Sequence, residues 1–181
     1  MASIIENAVL LALKGHAGQT RKDDKETPYV VHPYMVALLL REHGFSDAVI
    51  AAALCHDVLE DTPIPADDLR AAIGEEAFSI VEAVTNDDAL SWKEKKLKYI
   101  ETVRNGPEGA KAVALADKIH NGESLLEAHA ELGSALWTRF NTGREEKLWF
   151  EEAMLSMLKE TWSHPLIERY EALIEKMRAL S

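Results

Sequence analysis

The chain places an imidazole and three carboxylates, His56, Asp57, Glu60 and Asp61, directly after the apolar run of residues 48–55. That run predicts a buried helix. Residues four apart lie on the same face of a helix, so His56 pairs with Glu60 and Asp57 with Asp61. Ionisable groups at the end of a buried helix cost stability unless something compensates their charge. We therefore expect this stretch to bind a divalent metal ion.

Polar residues in other parts of the chain offer the remaining ligands. His32 stands where a predicted helix begins, Asp117 interrupts a second apolar run, and Asn121 follows Asp117 by one helical turn. His32 and Asp117, together with His56 and Asp57, supply two imidazole nitrogens and two carboxylates. This mixed ligand set suits a mid-row divalent ion such as manganese, iron or cobalt better than zinc or magnesium.

A metal ion with open coordination positions would give this site hydrolytic chemistry, because it lowers the pKa of a bound water molecule and polarises a phosphoryl oxygen. Glu60 and Asp61 lie one turn beyond two of the ligands, where a carboxylate could orient or deprotonate that water. Arg21 and Lys22 lie in a polar loop, and arginine favours bidentate contact with phosphate or stacking on a base. Asn121 is placed to hydrogen-bond a ligand or the substrate.

The composition limits the class of protein. With 181 residues, of which 47% are hydrophobic, the chain is expected to form one globular domain. The net charge of −11 argues against a nucleic-acid-binding surface, which would be basic. No apolar run is long enough to span a membrane, the N-terminus shows no signal-peptide pattern, and the single cysteine, Cys55, excludes an internal disulfide. We expect a cytoplasmic protein with no membrane or nucleic-acid partner, and the oligomeric state stays open.

Helices must position the site residues, because the chain shows no strand-like alternation and no internal repeat. The first helix is predicted to begin with a capping box at Ser3 and to end near residue 16. The second begins at Pro33, and the third is capped by Ser46 and ends at Pro63. Further helices are predicted over residues 66–73, 75–86, 91–105, 110–121, 123–131, 144–161 and 166–180. The predicted fold class is all-α.

Four stretches in this order resemble the HD superfamily of metal-dependent phosphohydrolases. They are His16-Ala17-Gly18-Gln19-Thr20-Arg21-Lys22-Asp23, Pro28-Tyr29-Val30-Val31-His32-Pro33, His56-Asp57-Val58-Leu59-Glu60-Asp61-Thr62 and Ala116-Asp117-Lys118-Ile119-His120-Asn121. Within the superfamily, the chain looks like the hydrolase domain of RelA/SpoT-type alarmone enzymes, standing alone as in the small alarmone hydrolases. The resemblance implies a single-domain HD-type helical bundle over residues 1–181, with a motif core at 8–121 that helices over 123–181 complete.

The resemblance also implies a reaction, the manganese-dependent removal of the 3′-diphosphate from (p)ppGpp to give GDP or GTP and pyrophosphate. The chain is too short for the synthetase and regulatory domains of the long enzymes, so only hydrolysis is expected. Carried over to the matching positions, the family implies metal ligation by His32, His56, Asp57 and Asp117, work on the nucleophilic water by Glu60 and Asp61, and nucleotide contacts by Arg21, Lys22 and Asn121.

One stretch departs from the family pattern. After the asparagine the family usually has a short basic stretch, whereas this chain has Gly122-Glu123-Ser124. The negative charge of Glu123 opposes the binding of a polyphosphate. We expect Arg139, Arg144 and Lys147 to supply the missing positive charge to the substrate.

Three functions remain open from the sequence. The first is the guanosine alarmone hydrolase, the second is an HD phosphohydrolase that acts on (p)ppApp or another nucleotide, and the third is a non-catalytic nucleotide-binding module. Taken singly, His32 could cap a helix, His56 could be a hydrogen-bonded core histidine, and Asp117 could make a polar contact between helices. Their joint occurrence favours the metal site, and the acidic pair argues against a pure binding module, which would not need it.

Overall fold

The computed structural model describes residues 3–21, 26–86, 90–139 and 143–180. Across these ranges the secondary structure is helical, and extended pairing is limited to one isolated bridge between Thr20 and Pro28. The all-α prediction is therefore confirmed. Within the same ranges, no helix combines the length and the apolar character needed to cross a membrane.

The chain divides into two compact units, Met1–Ala116 and Asp117–Ser181. The first unit contains α1 (Ile4–Gly15), α2 (Val31–Glu42), α3 (Asp47–Cys55), α4 (Val58–Asp61), α5 (Ala66–Val84), α6 (Trp92–Asn105) and the first part of α7 (Glu108–Leu132). Helix α3 packs against α1, α2 and α5, and every residue from 49 to 55 is buried. The predicted buried helix before the acidic stretch is thus the centre of this unit.

Side-chain caps begin three of these helices, at Ser3 and Ser46 as the sequence predicts and also at Ser91, where the sequence predicts only the start of a helix. The Ser3 hydroxyl accepts a hydrogen bond from the backbone N–H of Glu6 at 3.1 Å, and the Ser46 hydroxyl accepts one from Val49 at 3.4 Å. Ser91 forms a capping box at the start of α6. Each cap satisfies a backbone donor that the first turn of a helix leaves without a partner.

The central helix does not run on to Pro63, and that part of the prediction is wrong. Helix α3 ends at Cys55, His56 and Asp57 form a turn, and α4 begins at Val58. Asp57 has φ −97° and ψ 0°, in the sparsely populated region between helix and strand. The turn brings both site residues to the end of a buried helix instead of placing them on the side of a continuous one.

Two glycines behave differently from each other. Gly74, predicted to stop a helix, produces a kink in α5 with φ 77°, and the helix continues beyond it to Val84. Gly122, which separates two predicted helices, lies inside the continuous helix α7. A Cβ atom at Gly122 would lie 2.5 Å from Leu173 Cδ2, so the glycine is needed there for close packing.

The second unit contains the rest of α7, a 3-10 helix (Gly133–Arg139), α8 (Gly143–Thr161) and α9 (Leu166–Arg178). Helices α8 and α9 pack against each other. Their shared interior is mostly apolar, with Met154, Leu158, Leu166 and Tyr170 at 0–1% exposure, and it also contains the buried carboxylate of Glu151. The single-domain organisation expected from the sequence stays a prediction.

Candidate metal centre

Two imidazoles and one carboxylate converge in the first unit. His32 lies in the first turn of α2, and His56 and Asp57 form the turn between α3 and α4. The two histidines are buried, at 2% and 5% exposure, while Asp57 is partly exposed. One ligand atom from each residue lies within 4.8 Å of the other two. The packing of α2 on α3 therefore brings together three of the four predicted metal ligands.

The distances fit one coordination sphere. His56 Nε2 lies 3.2 Å and His32 Nε2 lies 3.8 Å from the same atom, Asp57 Oδ2. Two ligand bonds of about 2.0–2.2 Å that meet at roughly a right angle place their donor atoms about 3 Å apart. The nitrogen and oxygen donors therefore suit a divalent metal ion.

The tautomer of His56 also suits a metal ligand. Its Nδ1 atom lies 2.7 Å from the carbonyl oxygen of Ala53, which can only accept a hydrogen bond. Nδ1 therefore carries a proton, which leaves Nε2, on the side of Asp57, as the ring nitrogen that can bind a metal ion. A backbone carbonyl that binds the second ring nitrogen is the usual support for a metal-ligating histidine.

Glu60 of the predicted acidic pair is held by a residue that the sequence analysis did not identify. Its Oε2 atom accepts hydrogen bonds from the Asn86 backbone N–H at 3.1 Å and from the Asn86 side-chain amide at 2.9 Å. The amide oxygen of Asn86 lies 3.4 Å from Lys96 Nζ. The segment after α5 and the side of α6 thus hold the Glu60 carboxylate in place.

Asp61, the other member of the pair, is tied to the segment that precedes α2. Tyr29 Oη lies 3.3 Å from Asp61 Oδ2 and 2.6 Å from Asp57 Oδ2, and Gln19 Nε2 donates to the Asp61 carbonyl at 2.7 Å. Asp61 is exposed, but partial desolvation of its carboxyl raises its pKa, and the Asp57 and Glu60 carboxylates raise it further, partly offset by the Tyr29 hydrogen bond. Three acidic side chains therefore lie close enough to affect one another.

The predicted nucleotide contacts before α2 are only partly described. The guanidinium carbon of Arg21 lies 5.9 Å from the centre of the Tyr29 ring, within the range of a cation–π contact. The Arg21 backbone N–H donates to the Thr27 carbonyl at 2.8 Å, which keeps this residue beside the site. Lys22 lies outside the described residues.

Asp117, the fourth predicted ligand, belongs to the second unit. Lys118 Nζ lies 2.9 Å from Asp117 Oδ2, and the Asn121 amide donates to Asp117 Oδ1 at 2.6 Å. Both carboxylate oxygens are therefore oriented by donors from α7. The predicted role of Asn121 as a substrate contact is not tested by this hydrogen bond, which occupies one of its two amide hydrogens.

A buried charge network in the second unit involves Lys147, a predicted substrate contact. The Lys147 ammonium group binds Glu151, a carboxylate that is 1% exposed and also accepts a hydrogen bond from the Tyr170 hydroxyl. Burial raises the pKa of Glu151, but the charges of Lys147 and Lys118 outweigh it, so the pKa is lowered overall. Lys147 therefore neutralises a buried carboxylate within its own unit.

Arg144 has a similar local role. Its Nη2 atom donates to the carbonyl oxygen of Arg178 at 2.7 Å, at the end of α9. A cation at this position satisfies a carbonyl that the last turn of a helix leaves open. The side chain of Arg139 lies outside the described residues, so the expected contribution of these three residues to substrate binding stays a prediction.

Tyr29 and Asn86 are the site residues that the sequence analysis missed. Tyr29 lies in the same motif as His32, three residues before it. A hydroxyl so close in sequence to a predicted metal ligand is a signal that could have identified Tyr29 as a site residue. Asn86 lies 26 residues from Glu60, and no pattern in the sequence links the two.

Known proteins resemble this chain over most of its length. The HD domain family matches residues 8–141. Guanosine-3′,5′-bis(diphosphate) 3′-pyrophosphohydrolase MESH1 of Xenopus tropicalis is 40% identical over 132 residues, which cover 72% of this chain and 74% of that protein. The protein of the same name in Homo sapiens is 41% identical over 126 residues, which cover 68% of this chain and 70% of that protein.

The fold is also similar to that of a solved structure. The protein in that structure is a metazoan ortholog of SpoT that is described as hydrolysing ppGpp. The two chains superpose with a TM-score of 0.81 and 27% sequence identity, over 100% of this chain and 98% of the other.

Proposed function

The chain belongs to the HD domain family, and on this premise we propose that it is a guanosine-3′,5′-bis(diphosphate) 3′-pyrophosphohydrolase. It removes the 3′-diphosphate of (p)ppGpp and releases GDP or GTP together with pyrophosphate. The relatives at 40–41% identity that carry this activity in their names support the proposal. The observation that carries it in this chain is the convergence of His32, His56 and Asp57 beside the carboxylates of Glu60 and Asp61.

The proposed metal ion is Mn²⁺, held by His32, His56, Asp57 and, as a fourth ligand from the second unit, Asp117. Two nitrogens and two carboxylate oxygens with open positions suit such an ion. When bound, it would polarise a phosphoryl oxygen and lower the pKa of a water molecule. Within the first unit, the Ala53 carbonyl binds Nδ1 of His56 and so keeps Nε2 available to the ion. Within the second unit, Lys118 and Asn121 orient the Asp117 carboxylate.

The acidic pair handles the water and its proton. Glu60, fixed by two hydrogen bonds from Asn86, can orient the attacking water with its other carboxylate oxygen. Asp61, whose pKa is raised by partial desolvation and by its acidic neighbours, is suited to take up a proton and to deliver it to the leaving oxygen. The two carboxylates thus have different surroundings and different proposed tasks.

Positive side chains are proposed to bind the nucleotide. Arg21 and Lys22 precede α2 and would contact phosphate groups or the base, and Asn121 would contribute its amide. Arg144 and Lys147 remain candidates, although each already has a partner within the second unit. Arg21 is therefore the contact that we rank first for mutagenesis.

Product analysis tests this function. Purified protein is incubated with Mn²⁺ and ppGpp, and the nucleotide and phosphate products are separated by ion-exchange chromatography. We expect GDP and pyrophosphate in equal amounts. Release of orthophosphate, or turnover of ppApp with no turnover of ppGpp, would refute the assignment and favour another HD phosphohydrolase.

A further inference from the structure

Tyr29 is held on both sides by the backbone of the first unit. Its N–H donates to the Gln19 carbonyl at 2.9 Å, and its own carbonyl accepts from the N–H of His32 at 2.9 Å. The residue therefore lies between the end of the loop after α1 and the first turn of α2. A side chain anchored in this way can fix the position of the groups that it contacts.

The phenolic hydroxyl reaches two carboxylates with different proposed roles. Tyr29 Oη lies 2.6 Å from Asp57 Oδ2, the atom that faces both histidines, and 3.3 Å from Asp61 Oδ2. A phenol carries a single proton, so it gives a full hydrogen bond to one carboxylate at a time, and the shorter distance favours Asp57. The hydroxyl thus joins a metal ligand to a carboxylate of the acidic pair.

The ring of the same side chain contacts one guanidinium and two imidazoles. The Arg21 guanidinium lies 5.9 Å from the ring centre, the His16 ring lies 4.8 Å away at an angle of 35°, and the His32 ring lies 6.0 Å away edge-on. A cation–π contact restricts where the guanidinium can point. The ring therefore connects the proposed nucleotide contact with the metal site.

We propose that Tyr29 is a positioning residue with two separable tasks. Its hydroxyl keeps Asp57 and Asp61 in a fixed relation, which affects metal binding and the chemical step, and its ring keeps Arg21 oriented towards the nucleotide. The kinetic consequences rest on the proposed function, whereas the effect on metal binding does not. Hydrogen-bond partners of metal ligands commonly contribute about 10–100-fold to metal affinity or activity.

Two substitutions of Tyr29 separate these tasks, with Tyr34→Phe as the matched control, because Tyr34 lies in α2 and loses the same atom. Tyr29→Phe keeps the ring, so at saturating Mn²⁺ we expect kcat to fall about 10-fold with KM changed less than about 2-fold. Tyr29→Leu also removes the ring, so KM should rise in addition. A full kcat in Tyr29→Phe would overturn the role of the hydroxyl. An unchanged KM in Tyr29→Leu would overturn the role of the ring.

A double substitution guards against a general loss of structure in Tyr29→Leu. If the ring acts through Arg21, then Tyr29→Leu should raise KM no further in a protein that already carries Arg21→Ala. A further rise in KM of the same size would show that the ring does not act through the arginine, and would refute this part of the proposal.

Metal affinity gives a readout that does not depend on the substrate. Apo-protein is titrated with Mn²⁺ by calorimetry, and we expect the Kd of Tyr29→Phe to be about 10-fold higher than that of the wild type and of Tyr34→Phe. Equal Kd values in all three proteins would overturn the role of the hydroxyl at Asp57. An inactive wild type would contradict the proposed function alone, and the titration would still decide the role of Tyr29.

Discussion

Replacing Asn86 with alanine should weaken catalysis without affecting the metal site. The Asn86 side-chain amide donates to Glu60 Oε2 at 2.9 Å, and the backbone N–H of the same residue donates to that atom at 3.1 Å. Asn86→Ala removes the first hydrogen bond and leaves the second. Glu60 would then keep its place near the end of α5 but would lose part of its orientation.

The size of the effect follows from the energy of one hydrogen bond to a charged group, about 1.5–3 kcal/mol. Since about 1.4 kcal/mol corresponds to a factor of ten in rate, complete loss of the oriented state would cost about 10–150-fold. Glu60 is only partly buried and retains the backbone hydrogen bond, so water can replace some of the loss. We therefore expect kcat to fall about 10-fold.

The assay is steady-state pyrophosphate release from ppGpp at saturating Mn²⁺, together with calorimetric titration of the metal. Asn105→Ala is the matched control, because the Asn105 amide also donates to a glutamate, Glu101, on the exposed side of α6. We expect the same metal affinity in all three proteins and a lower kcat in Asn86→Ala alone. A kcat in Asn86→Ala equal to that of the control would refute the proposed role of Glu60 in orienting the water.

Three further predictions concern reactivity and stability. Burial raises the pKa of the Cys55 thiol to about 12, so iodoacetamide should modify it only in urea, and rapid labelling of the native protein would contradict this. Glu151→Gln leaves the Lys147 charge without its buried partner and should lower the free energy of unfolding by about 3 kcal/mol in urea titrations, whereas an unchanged midpoint would argue against the ion pair. Gly122→Ala brings a Cβ atom to 2.5 Å from Leu173 Cδ2. The cost of overpacking should exceed the gain in helix propensity, so the free energy of unfolding should fall by about 1 kcal/mol in the same titration. A more stable variant would show that Leu173 gives way.

Local patterns in the sequence predicted those features of the structure whose physical cause is also local. The serines at positions 3 and 46 were predicted as caps because the hydroxyl and the backbone donor that it satisfies are three residues apart. His56 and Asp57 were identifiable because charged groups directly follow a fully apolar run. The quoted motifs then linked His32 to these two, and the structure brings the three together.

Features that depend on tertiary contacts were not predictable in this way. Gly74 and Gly122 are the same residue type inside helical patterns, yet the first takes a positive φ and kinks α5, while the second lies within the continuous helix α7, where Leu173 leaves no room for a Cβ atom. Similarly, the hydrogen bonds of Tyr29 and Asn86 to the acidic stretch join residues 26–32 positions apart. Only the folded chain shows that Tyr29 and Asn86 hydrogen-bond the side chains of the acidic stretch.

The most direct test of the central claim compares pyrophosphate release from ppGpp by the wild type, Asp57→Ala and Asp47→Ala, each with Mn²⁺. Asp47 is an exposed carboxylate at the start of α3 that pairs with Arg41, so it controls for the loss of one negative charge in the same unit. We predict that the wild type and Asp47→Ala release pyrophosphate and that Asp57→Ala does not. Release at the wild-type rate by Asp57→Ala would contradict hydrolysis at this site.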